Sequence, residues 1–61
     1  MRTYFVSYVY DTRWRSDLRS WAVVRCPDLH TADDIRAMIE VLKTRHANCT
    51  DLVPVWWRGL D

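Results

Sequence analysis

Residues 53–59, VPVWWRG, set Trp56 directly beside Trp57. In a strand, neighbouring side chains point to opposite faces. One indole therefore needs a core and the other needs a different cover. Residues 3–10, TYFVSYVY, raise the same demand. Their β-branched and aromatic types make a strand, with Tyr4, Val6, Tyr8 and Tyr10 on one face and Thr3, Phe5, Ser7 and Val9 on the other. A sheet built from such strands has two apolar surfaces to bury.

The other segments limit what can bury them. DTRWRSDLR is polar and reads as a hairpin loop, longer than the favoured two-residue turn. Residues 19–26, RSWAVVRC, form a second strand, with Trp21, Val23 and Arg25 on one side and Ala22, Val24 and Cys26 on the other. Pro27 stops it. A helix over 32–46 follows, with Thr31 as N-cap and Asp34 closing a capping box. Ile35, Met38, Ile39 and Leu42 fall at helical spacing and make one apolar stripe. Asp33 and Asp34 suit the positive helix start, and Lys43, Arg45 and His46 the negative end. Arg36 and Glu40 stand four apart on the wet side. A third strand spans 52–58, and Pro54, which cannot donate to a ladder, assigns it to a sheet edge.

The reading is one α+β domain over residues 1–61, ordered ββαβ. The hairpin and a right-handed crossover place the strands 2-1-3, all antiparallel, with the helix on one face. The covered face is expected to hold Phe5, Ser7, Val9, Ala22, Val24, Val53, Val55 and Trp57. The open face is then Tyr4, Val6, Tyr8, Tyr10, Trp21, Val23, Trp56 and Arg58. Aromatic side chains bury about 150–250 Å² each. So aromatic a face exceeds the largest apolar patch of a monomer, about 300–600 Å². The expectation is a homodimer, with Tyr4, Tyr8, Tyr10, Trp21, Trp56 and Arg58 as association residues, types that dominate interface energetics.

Size and charge point the same way. A chain of 61 residues makes one small domain of marginal stability, and such domains gain from a staple or a second subunit. The net charge is +1, so no global field draws the chain to nucleic acid or membrane. No run approaches the ~18 apolar residues of a membrane span, and MRTYFVSYVY has no signal-peptide pattern. The expectation is a cytoplasmic protein with reduced cysteines.

Catalytic and metal chemistry lack a constellation. Cys26, His30, His46 and Cys49 spell C-x3-H…H-x2-C, which suggests zinc, yet a helix of about 22 Å separates the two pairs. The same separation forbids a Cys26–Cys49 disulfide. No metal or cofactor is expected. No nucleophile has an oriented base, and the single glycine, Gly59, excludes a glycine-rich phosphate loop. His46 reads as a helix C-cap. The loop residues Arg13, Trp14, Arg15 and Arg19 interleave cations with an indole, a combination that suits phosphates and stacked bases, although Asp11 and Asp17 dilute the charge. Nucleic-acid binding there is the alternative function.

TYFVSYVY at the start and TADDIRAMIE before a short aromatic final strand resemble a group of very short phage and prophage proteins of ββαβ layout. The resemblance runs over nearly the whole chain. That group's Gly-Phe-Gly-like element at the start of strand two is LRSWAVV here, so its role does not carry over. The resemblance implies a non-enzymatic anti-defence inhibitor that binds a bacterial immune component, of the kind that acts on CRISPR or Hachiman, often as a homodimer.

Overall fold

The computed structural model describes residues 1–60. The chain runs β1 (Arg2–Thr12), β2 (Leu18–Cys26), α1 (Ala32–Lys43) and β3 (Cys49–Gly59). The strands form one sheet in the order β2-β1-β3, antiparallel at both junctions. This is the expected α+β, ββαβ arrangement, with Pro54 on an edge strand. No helix among the described residues is long and apolar enough to cross a membrane.

The β1–β2 hairpin decides which face is which. Thr12 donates its N–H to the Arg15 carbonyl at 2.7 Å, and its Oγ1 accepts from the N–H of Trp14 at 3.3 Å and of Arg15 at 3.1 Å. Asp17 takes the left-handed backbone region at φ 57, a conformation Asp tolerates better than most residues. Its N–H donates to Asp11 Oδ1 at 2.9 Å. The loop so fixed pairs Tyr10 with Leu18, and hence Tyr8 with Ser20, Val6 with Ala22 and Tyr4 with Val24. Directly paired residues share a face.

The face expectation for β1 is thereby overturned. Tyr4, Val6 and Tyr8 lie in the core with Ala22, Val24, Cys26, Met38, Leu42 and Leu52. Phe5, Ser7 and Val9 face away from the helix, opposite Val23, Trp21 and Arg19. The physical reason is parity. A one-residue change in register exchanges the two faces of a strand, and β1 is apolar on both.

The helix uses the expected stripe. Met38 and Leu42 are wholly buried, each contributing about 1.5–3 kcal/mol of burial, while Ile35 and Ile39 pack at the margin. The capping box is complete. Thr31 Oγ1 accepts from the Asp34 N–H at 3.3 Å, and Asp34 Oδ2 accepts from the N–H groups of His30 and Thr31 at 3.2 and 3.1 Å. The bond from His30, aided by those from Thr31, holds the Asp34 carboxyl below the usual carboxylate range. Arg36 pairs with Asp33 at 3.2 Å, on the preceding turn.

The helix stops at Lys43, three residues before the expected end. Thr44 is the C-cap, and its Oγ1 donates to the Val41 carbonyl at 2.6 Å. The following residues tighten into turns, with Arg45 N–H on Leu42 O and His46 N–H on Lys43 O. Asn48 at φ 61 then reverses the chain into β3. His46 is no helix cap. Its ring turns onto the sheet, stacked on Tyr10 with centroids 4.0 Å apart, and Nε2 lies 2.6 Å from Tyr8 Oη.

β3 contains an unexpected change of phase. Trp56 pairs with Ser7 and Pro54 with Tyr8, which leaves Val55 as an extra residue in a bulge. Beyond the bulge, Trp57 lies on the helix side opposite Val6, and Trp56 lies on the open side, as expected. Before it the phase inverts. Leu52 is buried and Val53 is exposed, which corrects the placement of Val53 beneath the helix. Val55, also expected there, is exposed as well.

Candidate protein-binding surface

The open face has an aromatic centre. Phe5, on the middle strand, stacks on Trp21 of β2 at 5.5 Å between centroids and 25° between planes. On its other side it meets Trp56 of β3 edge-on at 5.9 Å and 66°. Trp21 and Trp56 both pair with Ser7, a small residue between the two indoles. Trp21 stays 64% exposed and Trp56 51% exposed, so these two rings present on the order of 250 Å² to solvent. Val23 and Val53 extend the patch and are also exposed.

Charge is sorted along the strands. At one end stand Arg25, opposite Thr3, and Arg58, opposite Phe5. At the other stand Asp11 and Asp51, which pair with each other across β1 and β3. Arg19 lies beside Val9. Arg19, Arg25 and Arg58 form no ion pair among the described residues, and neither Asp11 nor Asp51 has a cation within reach there; the pairs that do form are Arg2–Asp28, His30–Asp28 and Arg36–Asp33.

The expected association residues divide between two surfaces. Trp21, Trp56 and Arg58 are on the open face and exposed. Tyr4 and Tyr8 are not available there. They are buried beneath α1, where their hydroxyls reach the two ends of the helix: Tyr4 Oη accepts from the Leu29 N–H at 3.2 Å, and Tyr8 Oη bonds His46. Tyr10 is half-buried against His46. A tyrosine suits such a place because its ring is apolar and its hydroxyl finds a partner. The sequence reading missed Phe5, Ser7 and Val53 on the open face. The wet parity of β2, with Arg19, Trp21 and Arg25, was legible; the pairing that carries it to Phe5, Ser7 and Val9 of β1 was not.

The loop residues also separate. Arg13, Trp14 and Arg15 border an open depression with Asp11, Thr12, Ser16 and Thr50, and Arg13 lies over the Trp14 ring at 5.6 Å. Arg13 N–H donates to the Asn48 carbonyl at 3.2 Å, which ties this loop to the turn before β3. Arg19 is not part of the loop; it belongs to the open sheet face.

The four zinc-type residues do not converge. Cys26 stands opposite Arg2 and Cys49 opposite Thr12, the two ends of β1, about 33 Å apart along the strand. Burial, helped by the charges of Asp34 and Asp28, pushes the Cys26 thiol up. Cys49 Sγ donates to the Asp51 carbonyl at 3.4 Å.

Comparison with protein-family models, with curated proteins and with solved structures finds no match to this chain.

Proposed function

We propose that this protein is a non-enzymatic protein-binding inhibitor or adaptor, working in the bacterial cytoplasm as a homodimer, with a bacterial immune component as its target. The observation that carries the binding role is the Trp21–Phe5–Trp56 cluster on a sheet face that no element among the described residues covers. The main exposed apolar patch of a small domain is often its association site, and Trp with Arg are the residue types that dominate such sites. The patch is smaller than the sequence suggests, because Tyr4 and Tyr8 are spent on the core. The choice of an immune target rests on the resemblance to short phage proteins.

The test is phage plating on bacteria that carry a CRISPR or Hachiman system and express this chain. Raised plaque counts, lost in the double variant Trp21→Ser with Trp56→Ser at equal protein level, support the reading. Equal counts with and without the wild-type chain, on each system, overturn the immune target.

A second reading is single-stranded nucleic acid at the hairpin loop. Its support is Trp14, 72% exposed with the Arg13 guanidinium over its ring. Affinity that falls steeply with salt, and falls again in Arg13→Glu with Arg15→Glu, would favour it.

A further inference from the structure

The open face has an order that names its occupant. Along the strands, the row Trp21–Ser7–Trp56 stands at the middle. One row away on one side are Val23, Phe5 and Arg58; one row away on the other are Arg19, Val9 and Val53. Beyond these lie Arg25 at one end and the Asp11–Asp51 pair at the other. The face is thus apolar at its centre, basic at one end, and carries the Asp11–Asp51 pair at the other with Arg19 one row inside it, Ser7 standing at the midpoint.

We infer that this face binds a second copy of the same chain, sheet to sheet, about a two-fold axis that crosses the strands at Ser7. This rests on the binding role proposed above and gives it a partner and an orientation. Rotation about that axis lays the basic end of each copy over the acidic end of the other. Arg25 then lies two rows from the axis, one strand away from the second copy's Asp11, and Arg58, over Val53 of the second copy, lies one row from its Asp51. Ser7 faces Ser7 at the axis, with Trp21 over Trp21 on one side and Trp56 over Trp56 on the other. Arg19 lies over Val23 of the second copy, where its aliphatic stem packs.

Two arguments select this arrangement. The first is charge. A two-fold axis along β1 would instead set Asp11 over Asp11 of the second copy and lay basic end on basic end and acidic end on acidic end. Like charges juxtaposed in an interface cost several kcal/mol. The crossing axis brings opposite charge near Arg25, Arg58, Asp11 and Asp51, which form no ion pair among the described residues. The second is area. A stable interface buries about 800 Å² per partner, well above the area of two half-exposed indoles. The charged ends must therefore enter the interface, and they do so favourably in one orientation only.

The experiment is sedimentation velocity on the purified chain at several concentrations and salt levels. The expected result is a dimer that weakens as salt rises. Neutralising the acidic end, Asp11→Asn with Asp51→Asn, should weaken it on the order of tenfold; tightening instead would show like-on-like stacking and overturn the orientation. Two charge variants then give a sharper test. Asp51→Arg, which leaves the Asp11–Asp17 bond in place, and Arg25→Asp with Arg58→Asp should each associate more weakly than wild type alone and form a heterodimer when mixed. Ser7→Arg should abolish association while leaving the unfolding midpoint close to wild type. A wild-type chain that stays monomeric at millimolar concentration overturns the second copy as occupant. In that event plaque counts that still depend on Trp21 and Trp56 would keep the face as a site for another protein, so the two failures are distinguishable.

Discussion

Tyr8 on β1 and His46 after the helix are bound to each other through Oη and Nε2 at 2.6 Å. The bond fastens the chain just past α1 to the centre of the sheet. Tyr4 does the same before the helix through the Leu29 N–H. The helix is thus held at both ends by hydroxyls of one strand, and its Met38 and Leu42 are pressed between. Among the described residues no buried side-chain nitrogen or oxygen lacks a partner, so these polar groups enter the core without an orphan.

Loss of that bond should be measurable. Tyr8→Phe removes the hydroxyl and should lower stability by about 1 kcal/mol, read as a lower denaturant midpoint with an unchanged slope. His46→Ala also loses the stack on Tyr10 and should cost more. The two changes should couple, with an interaction energy of about 0.5 kcal/mol or more in a double-mutant cycle. Full additivity would show the contact contributes nothing.

The helix stripe predicts a contrast between neighbours. Met38→Ala and Leu42→Ala empty wholly buried sites and should each cost about 2–5 kcal/mol, enough to unfold much of so small a domain. Val41→Ala, at a position 39% exposed, should stay within about 0.5 kcal/mol of wild type. Equal losses at Leu42 and Val41 would place the helix in a different rotation.

The capping box carries a pH signature. Asp34 titrates below its ordinary range because its carboxylate accepts N–H bonds from His30 and Thr31. A depressed native value means the unfolded chain binds the proton first, so stability falls as the solution is acidified. The contribution is complete above about pH 5, where a free aspartate is fully ionised, and is lost as pH drops through the lower native value. Asp34→Asn should flatten that part of the stability profile. Thr31→Ala should cost about 1 kcal/mol and leave the pH dependence largely in place. A wild-type profile indistinguishable from Asp34→Asn between pH 5 and 2, a window of about that width, would remove the assignment.

The two thiols should differ in reactivity. Cys26 is buried, with its thiol pushed up by burial and nearby carboxylates; Cys49 is half-buried near the start of β3. In the native protein a thiol reagent should label Cys49 first, and Cys26 only as the domain opens. Mass spectrometry of partly labelled protein reads the order, and early labelling of Cys26 would contradict its place under the helix.

Local chemistry in the sequence determined much of this protein. β-branched and aromatic runs specified the strands, Thr31 and Asp34 specified where the helix begins, and the 3.6-residue stripe specified Met38 and Leu42 as its buried side. Pro54 specified an edge strand, and the hairpin with a right-handed crossover specified the strand order. Adjacent Trp56 and Trp57 were legible as facing opposite ways. Only the tertiary structure decided which face of β1 the helix covers and where the helix yields to turns. β1 is apolar at both parities, so its own pattern is silent, and the answer depends on how five loop residues set the pairing of Tyr10 with Leu18. The bulge at Val55 added a second parity change that period-two reading cannot see. Both are matters of register, and register is a relation between strands that no strand carries alone.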